Sequence, residues 1–82
     1  MLDQQSTRRG ISDRLIASKV RAALAANPIT AEYQISVDTW DGIVELTGFV
    51  ETATVRAEAL RLARYVEGVL QIQDSLDLRR FD

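Results

Sequence analysis

Acidic side chains are the groups in this chain best suited to chemistry, because the sequence contains neither histidine nor cysteine. Asp38 and Glu45 fall in two neighbouring segments whose residues alternate between polar and apolar. Two carboxylates can act as acid and base on a glycosidic bond, but only in a site that separates their pKa values. An alternating pattern predicts an open sheet surface instead. We therefore expect no catalytic centre and no enzyme activity.

Metal binding is the second chemistry that the acidic residues suggest. Asp74 and Asp77 add their carboxylates to those of Asp38 and Glu45, and hard cations prefer oxygen ligands of this kind. A solvated acidic surface explains the same residues, and we favour that interpretation. The missing cysteines and histidines exclude disulfides and thiolate or imidazole metal centres. We predict no metal and no cofactor.

Basic residues are concentrated in two segments with helical periodicity, and a leucine stands among them in the second segment. Guanidinium groups bind phosphate through two parallel hydrogen bonds, and a leucine can enter the surface of a bilayer. The pattern suggests binding to anionic phospholipid, and an ordinary solvated helix surface is the alternative. The candidate lipid-binding residues are Arg14, Arg21, Arg56, Leu60, Arg61 and Arg64, with Lys19 enlarging the set and Glu58 and Glu67 reducing its charge.

Nucleic acid is not an expected partner. Ten basic and twelve acidic residues give a net charge of −2, which does not favour binding to a phosphate backbone as the main activity. The GXXG loop by which KH modules hold nucleic acid is absent. No segment approaches the ~18 consecutive apolar residues of a transmembrane helix. Any membrane role is therefore expected to be peripheral.

The first helix is predicted to begin after Ser12, whose hydroxyl can accept a hydrogen bond from the first turn. It must end near Asn27, because Pro28 disfavours helical geometry in the residue before it. The second helix is predicted to begin after Thr52 and to end at Gly68 in a left-handed C′ conformation. Leu60 and the arginines of this helix are expected on its outward side. The buried stripes are Ile16, Val20, Ala23 and Leu24, then Val55, Ala59, Leu62 and Val66.

Residues 33–50 alternate in two runs joined by Asp41 and Gly42, which predicts a hairpin with a two-residue type I′ turn. The turn fixes the register, so that Trp40 pairs with Ile43, and Gly48 faces Ile35. The outward face then carries apolar side chains at its two ends. Aromatic residues are enriched at interfaces, although cross-strand packing also explains them. The candidate interaction residues are Trp40, Ile43 and Phe49, and the candidate turn residues are Asp41, Gly42, Gly48 and Gly68.

Residues 69–78 form a last alternating segment, with Ile72, Leu76 and Leu78 expected to point inward. The order is αββαβ, which predicts an α+β two-layer sandwich with two helices on one face of a three-stranded sheet. A right-handed crossover places the third strand parallel to the second in a mixed sheet, and placement beside the first strand is the alternative. The predicted core consists of Ile16, Val20, Leu24, Val37, Leu46, Val55, Leu62, Val66, Ile72 and Leu76.

Three stretches of the chain resemble the BON domain, the bacterial osmotic-shock and nodulation domain. They are SDRLIASKVRAAL, ISVDTWDGIVELTGFV with Gly42 and Gly48, and VEGVLQIQDSLDL with Gly68. The resemblance implies a non-enzymatic module of bacterial envelope proteins that is proposed to bind phospholipid surfaces and often occurs in tandem copies. The chain departs from that pattern at Trp40 and Asp74, and it holds a single copy. Self-association, giving a homo-oligomer, or another protein partner is the alternative function.

Domain boundaries and location follow from the same sequence. We expect a flexible N-terminal arm at 1–11, the BON-like domain at 12–78 and a C-terminal tail at 79–82. The first residues contain no apolar run of the ~7 to 15 residues that a secretory leader needs. The chain as written therefore indicates a cytoplasmic protein, whereas the family resemblance implies the periplasm or cell envelope. A leader that was removed earlier would reconcile the two.

Overall fold

A computed structural model describes residues 12–79 of the chain. The elements are helix α1 (Asp13–Ala26), strand β1 (Ser36–Trp40), strand β2 (Ile43–Val50), helix α2 (Ala53–Arg64) and strand β3 (Gln71–Leu78). Their order confirms the predicted αββαβ sandwich. The expected arm at 1–11 and residues 80–82 of the expected tail lie outside the described residues.

Both helices begin at the predicted caps. The Ser12 hydroxyl accepts a hydrogen bond from the Leu15 amide at 3.2 Å, and the Thr52 hydroxyl accepts one from the Val55 amide at 3.2 Å. At the other end of α1, the buried Thr30 hydroxyl donates to the Leu24 carbonyl at 2.6 Å. This bond satisfies one of the carbonyl groups that a helix C-terminus leaves without a partner.

The hairpin has the predicted turn and register. Asp41 and Gly42 have φ values of 51° and 80°, as a type I′ turn requires. Trp40 pairs with Ile43, and Val37 pairs with Leu46. A residue outside the hairpin also stabilises this turn. The Asp13 carboxylate accepts hydrogen bonds from the Asp41 amide at 2.8 Å and the Gly42 amide at 3.0 Å. The first turn of α1 is thereby fixed to the hairpin.

Replacing Asp13 with alanine is expected to destabilise the domain by about 2 kcal/mol, because the two turn amides lose a charged acceptor. Asp13→Asn keeps one acceptor oxygen and should lose about half as much. Urea unfolding followed by circular dichroism measures both changes. Ser18→Ala, at an exposed position of the same helix, is the control. A loss for Asp13→Ala no larger than that of the control would contradict this role.

The sheet is mixed, in the order β1-β2-β3. Strand β1 runs antiparallel to β2, and β3 runs parallel to β2 with Ile43 beside Gln71 and Val50 beside Leu78. The crossover connection through α2 therefore places β3 on the side of β2 that β1 leaves open, as predicted. Both β1 and β3 are therefore edge strands of this sheet.

One core lies between the helices and the sheet. The predicted residues Ile16, Val20 and Leu46 are almost completely buried. Leu62, Val66 and Ile72 are only partly buried and pack against the core from its margins. Val44 and Val50, which the predicted core omitted, are fully buried. They lie on the helix-facing side of β2, the central strand, which the helices cover most completely.

Three local expectations are wrong. Leu60 does not point away from the core but packs against it, because Ala59 and Ala63 are small enough to bring the flanks of α2 close to the sheet. Leu78 keeps the helix-facing side but is 42% exposed, since it lies at the end of β3. Gly68 has the expected positive φ of 97°. It belongs, however, to a turn closed by the Val69 amide and the Val66 carbonyl, after α2 has ended at Arg64.

Candidate functional site

Two surfaces carry the candidate functional residues. The helical surface is the solvent side of α1 and α2. The open sheet face is the side of the sheet turned away from the helices. Its residues are Ser36, Asp38 and Trp40 from β1, Ile43, Glu45, Thr47 and Phe49 from β2, and Gln71, Gln73, Ser75 and Asp77 from β3.

Arg56, a candidate lipid-binding residue, is paired inside the fold. Its guanidinium lies 2.7 Å from the Asp74 carboxylate, and its Nε donates to the same oxygen at 2.8 Å. Asp74 also accepts the Leu76 amide at 3.0 Å. The expected grouping of Asp74 with the open-face acids is wrong, because Asp74 has the same strand parity as Ile72 and Leu76, which pack toward the helices. Arg56 therefore links α2 to β3.

Glu58 joins the two helices. Its carboxylate accepts a hydrogen bond from the Asn27 amide group at 2.9 Å, and Arg61 Nε donates to it at 2.9 Å. The Arg61 guanidinium also lies 5.7 Å from the centre of the Tyr65 ring. The hydrogen bonds from Arg61 hold the pKa of Glu58 below its ordinary value. Arg61, a second candidate lipid ligand, is thus charge-compensated like Arg56.

The Glu58 pair predicts a pH dependence. A carboxyl group whose pKa is lowered by folding stabilises the fold above its unfolded pKa near 4.5, and the contribution is lost as the pH falls through the folded pKa. Glu58→Gln should therefore be less stable than the parent at pH 7, and the difference should shrink steadily below about pH 4.5. Urea unfolding at several pH values measures the difference. A difference that does not change with pH would contradict the prediction.

Arg21 contacts the edge of the sheet. Its Nη2 donates to the Val37 carbonyl of β1 at 3.2 Å, although the side chain remains exposed on the outer side of α1. Sequence periodicity indicated the exposure but not the contact, because the two residues are 16 positions apart. Because the carbonyl is uncharged, this hydrogen bond does not neutralise the positive charge of Arg21.

Three other cations of the helical surface have no such partner among residues 12–79, and in this sense they are the unpaired cations. Arg14, Lys19 and Arg64 are exposed, and within residues 12–79 none of them forms an ion pair or side-chain hydrogen bond. Two apolar side chains lie beside them in sequence, Leu15 at 44% exposure and Tyr65 at 77%. Among the candidate lipid-binding residues, the structure thus separates unpaired Arg14 and Arg64 from paired Arg56 and Arg61.

The open sheet face is acidic in its middle and apolar at its ends. Asp38 lies opposite Glu45, and Ser75 donates its hydroxyl to Glu45 at 2.7 Å. Trp40 and Phe49 are 41% and 52% exposed at opposite ends, with Ile43 beside Trp40. The Arg79 guanidinium lies 4.2 Å from the centre of the Phe49 ring. Within the described part of the chain, no three acidic side chains form a group that could hold a metal ion.

These features define a small α+β module with a cationic helical surface and an acidic open sheet face. Within residues 12–79, neither helix has the length and apolarity needed to cross a membrane. The sequence profile of the BON domain family matches residues 12–80. The chain therefore belongs to the BON domain family, and the resemblance noted from its sequence is confirmed.

A curated relative supports the same assignment. Over 69 residues, or 84% of this chain, the sequence is 39% identical to osmotically-inducible protein Y of Escherichia coli strain K12. The match covers 34% of that protein, so the chain spans about a third of the length of its relative.

Proposed function

We propose that the chain is a non-enzymatic module of the bacterial envelope that binds anionic phospholipid surfaces peripherally through its helical surface. Membership of the BON domain family and similarity to an osmotically inducible protein support an envelope-related role without catalysis. The orientation on the lipid is argued from the charges of this chain.

The observation that carries the proposal is the separation of charge between the two layers. The helical surface presents the unpaired cations Arg14, Lys19 and Arg64. Among residues 12–79, the open sheet face presents Asp38, Glu45 and Asp77, and Arg79 lies at its margin. An anionic surface attracts the first layer and repels the second. The domain should therefore bind lipid with the helices toward the bilayer.

The expected affinity is modest. A basic residue close to an anionic bilayer contributes about 1 kcal/mol, so three unpaired cations contribute about 3 kcal/mol. Leu15 and Tyr65 add exposed apolar area that can enter the interfacial region of the bilayer. Such binding is reversible, and joining two copies would multiply it without any new contact.

Flotation with lipid vesicles tests the proposal. The chain is expected to float with vesicles that contain phosphatidylglycerol and to stay behind with vesicles of phosphatidylcholine alone. Raising the salt from about 50 to 500 mM should release it, because the attraction between exposed charges is screened. Equal binding to both kinds of vesicle, or binding that salt does not weaken, would contradict the electrostatic mechanism.

Association with a protein is the second candidate function, and the exposure of Trp40 and Phe49 on the open sheet face favours it. Aromatic side chains are common anchors of protein interfaces. A chain that floats with neither vesicle, and whose sedimentation shows self-association that Trp40→Ala weakens, would favour this function over lipid binding.

A further inference from the structure

A groove of about 330 Å³ lies between the second half of α1 and the chain that leads into β1. Leu24 and Ala25 form its helical wall, and Arg21 stands at its side. The opposite wall contains the apolar residues Ala31 and Ile35 together with the polar residues Thr30, Tyr33, Gln34 and Ser36. Arg21 is the charged residue among those that line the groove. Neither the lipid proposal nor the open sheet face uses this groove.

The groove reaches the free edge of the sheet at Ser36, the first residue of β1. β1 is an edge strand, and Trp40 and Ile43 flank its two-residue turn. In such a hairpin the flanking pair exchanges both backbone hydrogen bonds, and every second residue then turns its N–H and C=O away from the partner strand. The residues of β1 that face outward are therefore Val37 and Thr39. The bond from Arg21 to the Val37 carbonyl agrees with this geometry.

We propose that this groove and the β1 edge bind an extended peptide segment that carries a carboxylate, by adding it to the sheet as a fourth strand. A backbone N–H of the peptide replaces Arg21 as the hydrogen-bond donor to the Val37 carbonyl. In return, a backbone N–H of the β1 edge donates to a carbonyl of the peptide. The displaced guanidinium, which has five N–H donors, then binds the carboxylate of the peptide. The apolar residues of the groove walls receive alternate side chains of the added strand.

Charge complementarity selects this occupant. Arg21 is the one charged side chain that lines the groove among the described residues, so the groove favours an anionic ligand, and the planar guanidinium matches a carboxylate with two parallel bonds. A second copy of this chain is a poorer occupant of the same edge. Two β1 strands paired about their centre would bring the two Asp38 side chains together, and opposed like charges are destabilising.

Nuclear magnetic resonance titration of the labelled protein tests the proposal. The probe is the acetylated hexapeptide Thr-Val-Thr-Val-Thr-Val with a free C-terminal carboxylate, and its matched control is the same peptide with an amide end. We expect shifts of the backbone amides of residues 34–39 and of the Arg21 Nε–H. The parent protein should bind the amidated peptide at least tenfold more weakly than the peptide with the free carboxylate. The variant Arg21→Gln should bind the peptide with the free carboxylate at least tenfold more weakly than the parent does.

Arg14→Gln removes the same charge from the same helix, away from the groove, and should leave peptide binding unchanged. Arg21→Lys keeps the charge but not the paired geometry and should show an intermediate loss. The proposal is overturned if millimolar peptide causes no shifts, if the shifts map to Trp40 and Phe49, or if both peptide ends bind equally. It is also overturned if the parent protein does not bind the peptide and the only effect of Arg21→Gln is self-association of the variant. None of these outcomes depends on lipid binding, so vesicle flotation tests the proposed function separately.

Discussion

Removing the three unpaired cations of the helical surface is expected to lower the partition of the chain onto anionic vesicles about a hundredfold. The variant combines Arg14→Gln, Lys19→Gln and Arg64→Gln, and each position should contribute about 1 kcal/mol near the bilayer. None of the three pairs with another side chain within residues 12–79. The fold should therefore survive, which circular dichroism can verify before flotation at low salt measures the partition.

A matched single substitution provides the control. Arg79→Gln removes the same charge as Arg64→Gln but from the open sheet face, where the guanidinium lies over the Phe49 ring. It should change lipid partition less than twofold, whereas Arg64→Gln should lower it about fivefold. A triple variant that floats as well as the parent would place the lipid contact elsewhere on the domain.

Gly48→Ala is expected to destabilise the domain by about 3 kcal/mol, most of the roughly 3–5 kcal/mol that a single core of this size supplies. Gly48 has a φ of +147°, which side chains rarely permit. A β-carbon there would lie 2.7 Å from the Gln34 carbonyl oxygen, a backbone atom that cannot move alone. Urea unfolding followed by the fluorescence of Trp40 measures the change.

Gly42→Ala is the informative comparison, because Gly42 also has a positive φ, of 80°. The nearest atoms to its added β-carbon belong to the Leu70 side chain, at 2.9 Å. Leu70 is 81% exposed, so it can swing aside. Gly42→Ala should therefore cost less than Gly48→Ala. The reverse order would show that the close approach of Gly48 to the Gln34 segment does not limit stability.

Local patterns were sufficient to predict the architecture. Alternation around Asp41 and Gly42 predicted both the turn and the register, because a two-residue loop leaves one pairing possible. Ser12 and Thr52 predicted the helix starts, since a cap acts on backbone amides three residues away. These signals depend on neighbours in sequence, which a single sequence displays directly.

The candidate site was less predictable because its contacts join distant parts of the chain. Helical periodicity placed Arg56 outward, whereas its Asp74 partner lies 18 residues away on β3. The same limitation hid the Asp13 contact with the turn, 28 and 29 residues away. Helical periodicity considers only which positions are apolar. It therefore did not predict that Leu60, beside the small residues Ala59 and Ala63, packs against the core. A carboxylate in the first turn of α1 was the available signal for Asp13, and it also fits a helix-dipole role.

The central claim is that the helical surface, and not the open sheet face, lies against the lipid. Because the sequence contains no cysteine, Ser18→Cys and Gln73→Cys each create a unique attachment point for an environment-sensitive fluorophore, at exposed positions of α1 and β3. On addition of phosphatidylglycerol vesicles, the label at position 18 should shift its emission to the blue and lose access to an aqueous quencher, while the label at 73 should not change. A blue shift at position 73 with none at position 18 would contradict the account.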